Sequence, residues 1–246
     1  MIGYVDYKYG WNSAKKLRVF TKLDKSRQPP DFHTNYQSNY GDLIRMAATQ
    51  QTEAPSGALP ATIVTTPKCY LRPYDLRDAP AASSLANDAE VVRFLRDRFP
   101  HPYTLADSES FIKSTLEAKP ALDFAIFATP DGEGSEGEFA GGMGLTPGRD
   151  VQSRTWELGY WVGQKFWGQG IATTAVKAFA RWAFQTFPEL HRIEAEAYHM
   201  NLGSMRVLEK AGFTKDGVRR GAACKKGVVM DVHVYGLLRS EIDRLE

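Results

Sequence analysis

The amino-acid sequence predicts an α+β fold in which helices flank one central, mostly antiparallel sheet. The first observation behind this prediction is the order of the segments: short helices, a three-strand meander, then helix, strand, helix and a closing hairpin. The second is composition, since 43% of the 246 residues are hydrophobic and 24% are charged, as in ordinary globular domains. The third is a change of character near residue 60, which separates an N-terminal extension from the domain.

Residues 1–60 are predicted to form an N-terminal extension and linker. The first part is rich in aromatic side chains but has few aliphatic ones in any periodic pattern, so it lacks a core of its own. The stretch TQQTEAPSGALPAT at residues 49–62 is typical of a flexible linker. Two alternatives stay open: the aromatic side chains dock on the domain or a partner chain, or the extension is mostly disordered. Residues 61–246 form the predicted domain.

The early elements of the domain are a strand and three helices. Residues 63–71 are predicted as a strand that leads into a turn at 72–75, and residues 76–87 and 89–96 as two short helices. Thr104 is a suitable N-cap with Asp107 three residues later, which predicts a third helix from residue 105 to residue 118. Pro120 ends that helix.

Three strands come next, at residues 122–129, 139–146 and 155–162. The run of glycine and glutamate at 131–138 cannot pack into a core and is predicted to be a solvated hairpin loop between the first two.

The late elements follow from clear periodicity. Residues 171–187 carry one apolar stripe at helical spacing, and RIEAEAYH at 192–199 alternates like a half-buried strand. Residues 202–211 form a helix that Gly212 ends, because glycine suits the position after a helix C-terminus. Residues 213–221 and 228–237 complete the domain as an antiparallel pair.

Bulk properties exclude several classes of function. The formal net charge is +2, so no strong field favours nucleic acid or an anionic membrane as a partner. Only two cysteines are present, Cys69 and Cys224, without metal-ligand spacing, so neither a disulfide framework nor a metal site is expected. No signal-peptide segment and no membrane-length apolar run is visible. We therefore expect a soluble protein in the cytoplasm.

The strongest local motif is a glycine-rich turn between a predicted strand and helix, Trp167-Gly168-Gln169-Gly170-Ile171-Ala172. Two glycines at a helix start allow backbone N–H groups and the helix dipole to converge on a pyrophosphate. A P-loop is excluded because no Gly-Lys-Ser/Thr is present, and a dinucleotide fold is disfavoured because no acidic residue ends a following parallel strand. The alternative is a glycine turn that serves tight packing only.

This segment resembles the acyl-CoA signature of the GNAT superfamily, Arg/Gln-x-x-Gly-x-Gly/Ala, with Trp167, Gly170 and Ala172 at the three defined positions. Tyr-Trp before the turn and Trp-Gly-x-Gly-Ile-Ala-Thr within it are similar to the RimJ/RimL branch. The segment from Asn201 to Phe213 resembles that branch's Asn-x-x-Ser-x-x-x-Leu-x-x-x-Gly-Phe pattern. The resemblance covers about residues 68–238.

The resemblance implies a GNAT (acyl-CoA N-acyltransferase) fold and acetyl-CoA as acyl donor. It also implies that the strand 156–162 splays from the strand 192–199, with acetyl-pantetheine between them and backbone N–H groups near Tyr160 holding the thioester carbonyl. Asn201 would contact the pantetheine arm, serve as a helix N-cap, or do both. The implied cofactor-binding residues are Tyr160, Trp161, Val162, Trp167, Gly168, Gln169, Gly170, Ile171, Ala172, Thr173 and Asn201.

Two residues are the candidate catalytic groups. Many superfamily members have a tyrosine seven residues after the asparagine, but that position is Leu208 here, and the resemblance implies that Ser204 replaces it as proton donor. The alternative for Ser204 is an ordinary residue of the helix surface. Glu157 is the first choice for the general base, because the acceptor ammonium must lose a proton. Glu196 and His199 are the next candidates for the base. The alternative for Glu196 is a place on a solvated strand face, and the alternative for His199 is a structural role.

The acceptor is expected to bind between residues 94–103 and the final hairpin, with Arg96, His101 and Tyr103 as candidate substrate-binding residues. Arginines at this place favour an acceptor with a carboxylate or phosphate, unless they form a solvated helix end. The predicted function is acetyl transfer to a primary amine of a small molecule, an amino acid or amino sugar, or a protein N-terminus. The alternative is a non-catalytic acyl-CoA-binding module with an interaction role. A homodimer is left open.

Overall fold

The computed structural model describes residues 58–129 and 137–245. The predicted extension at 1–60 lies outside the described residues except for its last three positions, and the predicted hairpin loop at 131–138 lies outside them except for its last two. The boundary between extension and domain therefore stays a prediction.

One mixed sheet of eight strands, in the order β1-β2-β3-β4-β5-β6-β8-β7, forms the centre of the domain. Neighbouring strands of the described residues are antiparallel, except that β5 and β6 are parallel. The predicted α+β class with a mostly antiparallel sheet is confirmed. The strands are β1 Val64–Thr65, β2 Cys69–Pro73, β3 Asp123–Ala128, β4 Glu138–Pro147, β5 Thr155–Val162, β6 Arg192–Tyr198, β7 Thr214–Lys225 and β8 Val228–Leu238.

Helices cover both faces of this sheet. The α-helices of the described residues are α1 Ala79–Ala86, α2 Ala89–Val92, α3 Leu105–Glu117, α4 Ile171–Thr186 and α5 Leu202–Lys210. On one face α4 buries its predicted apolar stripe, and Phe179 meets Phe124 of β3 edge to face at 5.4 Å between ring centroids. On the other face α1 and α3 pack over Ala125 and Phe127, with Ile112 fully buried. The central strands are therefore buried on both sides.

Three early elements differ from their prediction. The strand at 63–71 is two strands, because Thr66 Oγ1 donates a hydrogen bond to the Cys69 carbonyl at 2.7 Å and turns the chain between them. The helix at 76–87 is a 3₁₀ turn followed by α1. The helix at 89–96 ends at Val92, and the segment 93–103 is not an α-helix. This segment is the one that reaches across the sheet towards β5.

The parallel strands β5 and β6 separate after a short pairing. Thr155 pairs with Arg192, Trp156 with Ile193 and Glu157 with Glu194. No further pair between these two strands follows within the described residues. Beyond this point β5 remains paired with β4 and β6 with β8. The result is a wedge-shaped gap in the middle of the sheet, as the GNAT resemblance implied. No helix among the described residues is long and apolar enough to cross a membrane.

Candidate functional site

Backbone groups of β5 face the gap. Gly163 N–H donates to the Ala140 carbonyl at 2.9 Å, and Gly148 N–H donates to the Thr155 carbonyl at 3.0 Å, so odd-numbered residues of β5 bond to β4. Because hydrogen-bonding direction alternates along a strand, the N–H and C=O groups of Leu158, Tyr160 and Val162 point towards β6. The last parallel pair, Glu157 with Glu194, uses the Leu158 N–H. No strand partner among the described residues meets Tyr160 and Val162, so their N–H groups are free to hold a ligand oxygen.

A single cavity of about 770 Å³ extends from the glycine turn, past this gap, to the segment 93–103. Four residues named in the sequence analysis do not line this cavity, namely Gln169, His101, Tyr103 and His199. Of the predicted residues, those that line it are Arg96, Glu157, Glu196, Tyr160, Trp161, Val162, Trp167, Gly168, Gly170, Ile171, Ala172, Thr173, Asn201 and Ser204.

The glycine turn shapes one end of the cavity. Gly168 and Gly170 have φ values of 75° and 81°, a conformation that glycine adopts without strain. Gly170 is the N-cap of α4 and provides no side chain to satisfy the first N–H groups of the helix. Trp167 closes the turn from the other side, because its indole Nε1–H donates to the Val162 carbonyl at 2.7 Å. The turn thus presents unpaired N–H groups at a helix N-terminus, which suits an anion.

Three basic residues that sequence analysis missed lie beside the turn or along the cavity. Lys68 Nζ donates to the Gln169 carbonyl at 2.8 Å and lies 3.0 Å from the place of a Cβ on Gly170. No sequence signal pointed to Lys68, since it lies 101 positions from Gln169. Arg206 and Lys210 line the cavity from α5, and their i, i+4 spacing on the helix that follows Asn201 could have indicated them.

Tyr160 and Ser204 meet on the α5 side of the gap. The Tyr160 hydroxyl lies 2.8 Å from Ser204 Oγ, and burial raises the pKa of the tyrosine. Asn201 Oδ1 accepts the Ser204 backbone N–H at 3.0 Å, which makes Asn201 the N-cap of α5. Its side-chain nitrogen has no partner within the described residues. The cap role is confirmed, and a donor remains for a ligand.

Carboxylates and one guanidinium form the opposite end of the cavity. Arg96 Nη2 lies 2.6 Å from Glu157 Oε1 and 3.3 Å from Glu196 Oε2, and these three side chains are 12 to 18% exposed. Arg219 also bonds to Glu196. Glu196 therefore does not belong to a solvated strand face, and Arg96 does not belong to a solvated helix end. The two glutamates hold Arg96 through Nη2, while its Nη1 is buried without a hydrogen-bond partner among the described residues.

The segment 93–103 forms a wall of this end. Lys225 of β7 donates to the Val92 carbonyl at 2.8 Å and to the Leu95 carbonyl. Phe99 stacks on Tyr103 at 4.5 Å and meets Trp161 at 6.3 Å between ring centroids. Tyr103 is thus buried behind Phe99. His199, one of the two alternative bases, follows the end of β6, is exposed, and accepts the Asp231 backbone N–H at 3.3 Å outside the cavity.

Comparison with known proteins decides the family of this chain. The sequence profile described as the acetyltransferase (GNAT) domain matches residues 68–214. The chain belongs to the GNAT acetyltransferases. A curated relative of this GNAT enzyme is the "Probable N-acetyltransferase YjcK" of Bacillus subtilis, 32% identical over 177 residues that cover 70% of this chain and 94% of the relative.

Solved structures agree with the GNAT fold of this acetyltransferase. Mycobacterium smegmatis RimJ, in complex with CoA-disulfide, has a TM-score of 0.61 at 25% identity and covers 74% of this chain and 89% of its own. RimL, a ribosomal L7/L12 alpha-N-protein acetyltransferase in complex with coenzyme A, has a TM-score of 0.61 at 19% identity and covers 72% and 98%. Because RimL is only 19% identical to this chain, its structural similarity shows the fold alone.

Proposed function

We propose that this GNAT acetyltransferase transfers the acetyl group of acetyl-CoA to a primary amine. The observation that carries the proposal is the continuity of the cavity. It joins an anion-suited glycine turn to a carboxylate-lined end through the gap between β5 and β6. A long donor with phosphates at one end and a thioester at the other fits this arrangement, and the amine reaches the thioester from the carboxylate end.

The donor end fits CoA on three observations. A Cβ on Gly168 would meet no atom within 4 Å, so the backbone there is open to a phosphate. The first turn of α4 has no side-chain cap and Lys68 adds positive charge beside it, while Arg206 and Lys210 line the same cavity. RimJ of Mycobacterium smegmatis, which shares the fold, was solved with a CoA-disulfide. We assign the pyrophosphate to the N–H groups of residues 168–173 and the pantetheine arm to Asn201.

The thioester carbonyl is assigned to the N–H groups of β5 that face the gap. These donors belong to Tyr160 and Val162, whose N–H groups point away from β4 and lie beyond the last pair with β6. Backbone donors fixed by a sheet need little reorganisation when negative charge develops on the carbonyl oxygen. The main chain therefore stabilises the transition state, and the side chains only move protons.

Glu157 is assigned as the base. It accepts a proton from the acceptor ammonium, and the neutral amine then attacks the carbonyl carbon so that a C–N bond forms and the C–S bond breaks. Arg96 holds the Glu157 carboxylate in place at 2.6 Å. Ser204 donates its hydroxyl proton to the leaving thiolate, and the Tyr160 hydroxyl at 2.8 Å supports it by hydrogen bonding. The proton that Glu157 takes from the ammonium passes to solvent. The second proton, which the nitrogen loses when the tetrahedral intermediate collapses, restores the Ser204 hydroxyl, so that the products are the N-acetylated amine, the CoA thiol and one released proton.

The acceptor classes predicted from sequence, a small molecule, an amino acid or amino sugar, or a protein N-terminus, all provide the required amine. The proposed site needs no metal, and we propose action in the cytoplasm with the amine substrate as partner.

Thermal stability of the purified protein tests the donor first. Acetyl-CoA and CoA, each at millimolar concentration, should raise the melting temperature, while NAD should not. A shift with NAD alone, or with none of the three, would contradict the assignment of the glycine turn. A panel of primary amines with acetyl-CoA then tests transfer. Tight CoA binding without transfer to any amine would instead favour the non-catalytic acyl-CoA-binding module.

A further inference from the structure

A second carboxylate, that of Asp123, lines the cavity away from Glu157 and Glu196. Asp123 begins β3 and lies opposite Gly144 of β4. A Cβ on Gly144 would lie 2.2 Å from Asp123 Oδ1, so the carboxylate lies directly over this glycine. No hydrogen bond or ion pair joins Asp123 to another residue among those described. The acetyl-transfer steps assigned above do not use it.

Two glycines open the floor of the cavity beside this carboxylate. Gly142 and Gly144 are two positions apart on β4 and therefore share a face of the sheet. A Cβ on Gly142 would lie 2.0 Å from the Tyr74 hydroxyl and 2.8 Å from Trp161 Nε1. Only glycine leaves room for these groups. Together the two glycines, Asp123, Tyr74 and Trp161 form a recess, which we name the Asp123 recess.

The recess favours a cation. Arg98 also lines the cavity and lowers the pKa of Asp123 by its charge, but it forms no ion pair with the carboxylate, and burial is the larger influence, raising the pKa to about 6. A partly desolvated carboxylate without a paired cation gains most from a ligand that brings one.

The position of the recess relates it to the acceptor. Gly144 pairs with Gly159 of β5, which lies between Glu157 and Trp161 on the same face. Neighbouring strands are about 4.8 Å apart, so a carboxylate over Gly144 lies roughly 5 to 10 Å from the gap where the amine attacks. A short alkyl chain spans that distance. One ligand can thus place a nucleophilic amine at the gap and a second charged group in the recess.

We infer that the Asp123 recess binds a second cationic group of the acceptor, so that short dicationic amines are preferred over monoamines of equal length. This inference rests on the proposed acetyl transfer, which it deepens by naming the class of acceptor. It differs from the sequence-based expectation of an acceptor with a carboxylate or phosphate, which stays a prediction.

The test compares putrescine with butylamine, and cadaverine with pentylamine, as acceptors with acetyl-CoA as donor. For the wild-type protein kcat/KM should be at least tenfold higher for each diamine than for its matched monoamine. In Asp123→Asn, which keeps the side-chain shape, this ratio should fall at least tenfold. The control is Asp150→Asn, an exposed position outside the cavity, whose ratio should equal that of the wild type. Equal kcat/KM for diamine and monoamine in the wild type would overturn the inference.

Calorimetric titration of putrescine into the protein separates this inference from the proposed function. Putrescine bound by the wild type and at least tenfold more weakly by Asp123→Asn, without acetyl transfer to any amine, would refute the proposed function and keep the recess. Acetyl transfer with the same diamine to monoamine ratio in both proteins would refute the recess and keep the proposed function.

Discussion

The hydroxyl of Tyr160 lies 2.8 Å from Oγ of Ser204, which connects β5 to α5 across the gap that the two parallel strands leave open. Leu208, at the position where many superfamily members have a tyrosine, is fully buried in the core. A tyrosine hydroxyl is therefore present beside Ser204, but it comes from a different strand. This pair forms the proposed route by which a proton reaches the leaving thiolate.

Ser204→Ala should lower kcat by about tenfold to a hundredfold, because general acids contribute roughly that much or more and serine is a weak acid. The KM for acetyl-CoA should change by less than about threefold, because a group that acts on the leaving sulfur affects the transition state and not donor binding. Steady-state kinetics with the best amine of the panel measures both. Tyr160→Phe, which keeps the ring and removes the hydroxyl, should give a smaller loss. Equal losses in kcat and donor affinity would mark Ser204 as a binding residue.

Glu157→Gln should lower kcat/KM by about a hundredfold or more, since the amide cannot accept the proton of the acceptor ammonium. The matched control is Glu194→Gln on the same face of the neighbouring strand. Glu194 bonds to Arg192 at 3.2 Å outside the cavity lining, so its replacement should leave kcat/KM unchanged. The pH profile gives the deciding measurement: activity of Glu157→Gln should recover at high pH, where the amine is neutral without a base. A loss that is constant with pH would refute the role of Glu157.

Gly170→Val should abolish the stabilisation of the protein by CoA, because a side chain would fill the approach of the phosphate to the start of α4. The φ of 81° at Gly170 adds backbone strain of about 1 to 2 kcal/mol to this substitution. Gly227→Val is the control for strain, since Gly227 has a φ of 80° with no atom within 4 Å of its Cβ position. The measurement is the melting temperature with and without millimolar CoA. Undiminished stabilisation of Gly170→Val by CoA would refute the assignment of the turn.

Asp123→Asn should make the fold more stable than the wild type at pH 8. Burial raises the pKa of Asp123 to about 6 from 3.8, while Arg98 opposes the shift and Tyr74 is the other titratable group nearby. Between these two values the folded state holds more protons than the unfolded state, so wild-type stability falls as pH rises through this window. Asparagine removes that loss, which is at most about 3 kcal/mol for two pKa units. Urea unfolding from about pH 4 to about pH 8 measures the difference, which should grow with pH. A difference that is independent of pH would contradict the raised pKa.

Local signals predicted most of the fold. The strand at 155–162 has the predicted bounds, and the Thr104 capping box begins α3 as expected. The largest error was the helix predicted at 89–96, where helical propensity extended past the real end at Val92. Tertiary contacts overrode that propensity, because Arg96 and the carbonyl of Leu95 are held by residues of β5, β6 and β7.

By itself the sequence determined the mostly antiparallel sheet, the glycine turn at the start of α4, the cap at Asn201 and the family resemblance that led to the candidate residues. These features depend on periodicity, caps and glycine conformations, which act between residues a few positions apart. Only the tertiary structure decided which side chains share the cavity. Lys68 approaches Gly170, Arg96 joins Glu157 to Glu196, and Asp123 lies over Gly144 without a partner. Such contacts follow from strand order and from the separation of β5 and β6, because the packing of distant segments, and no local preference, brings these charges together.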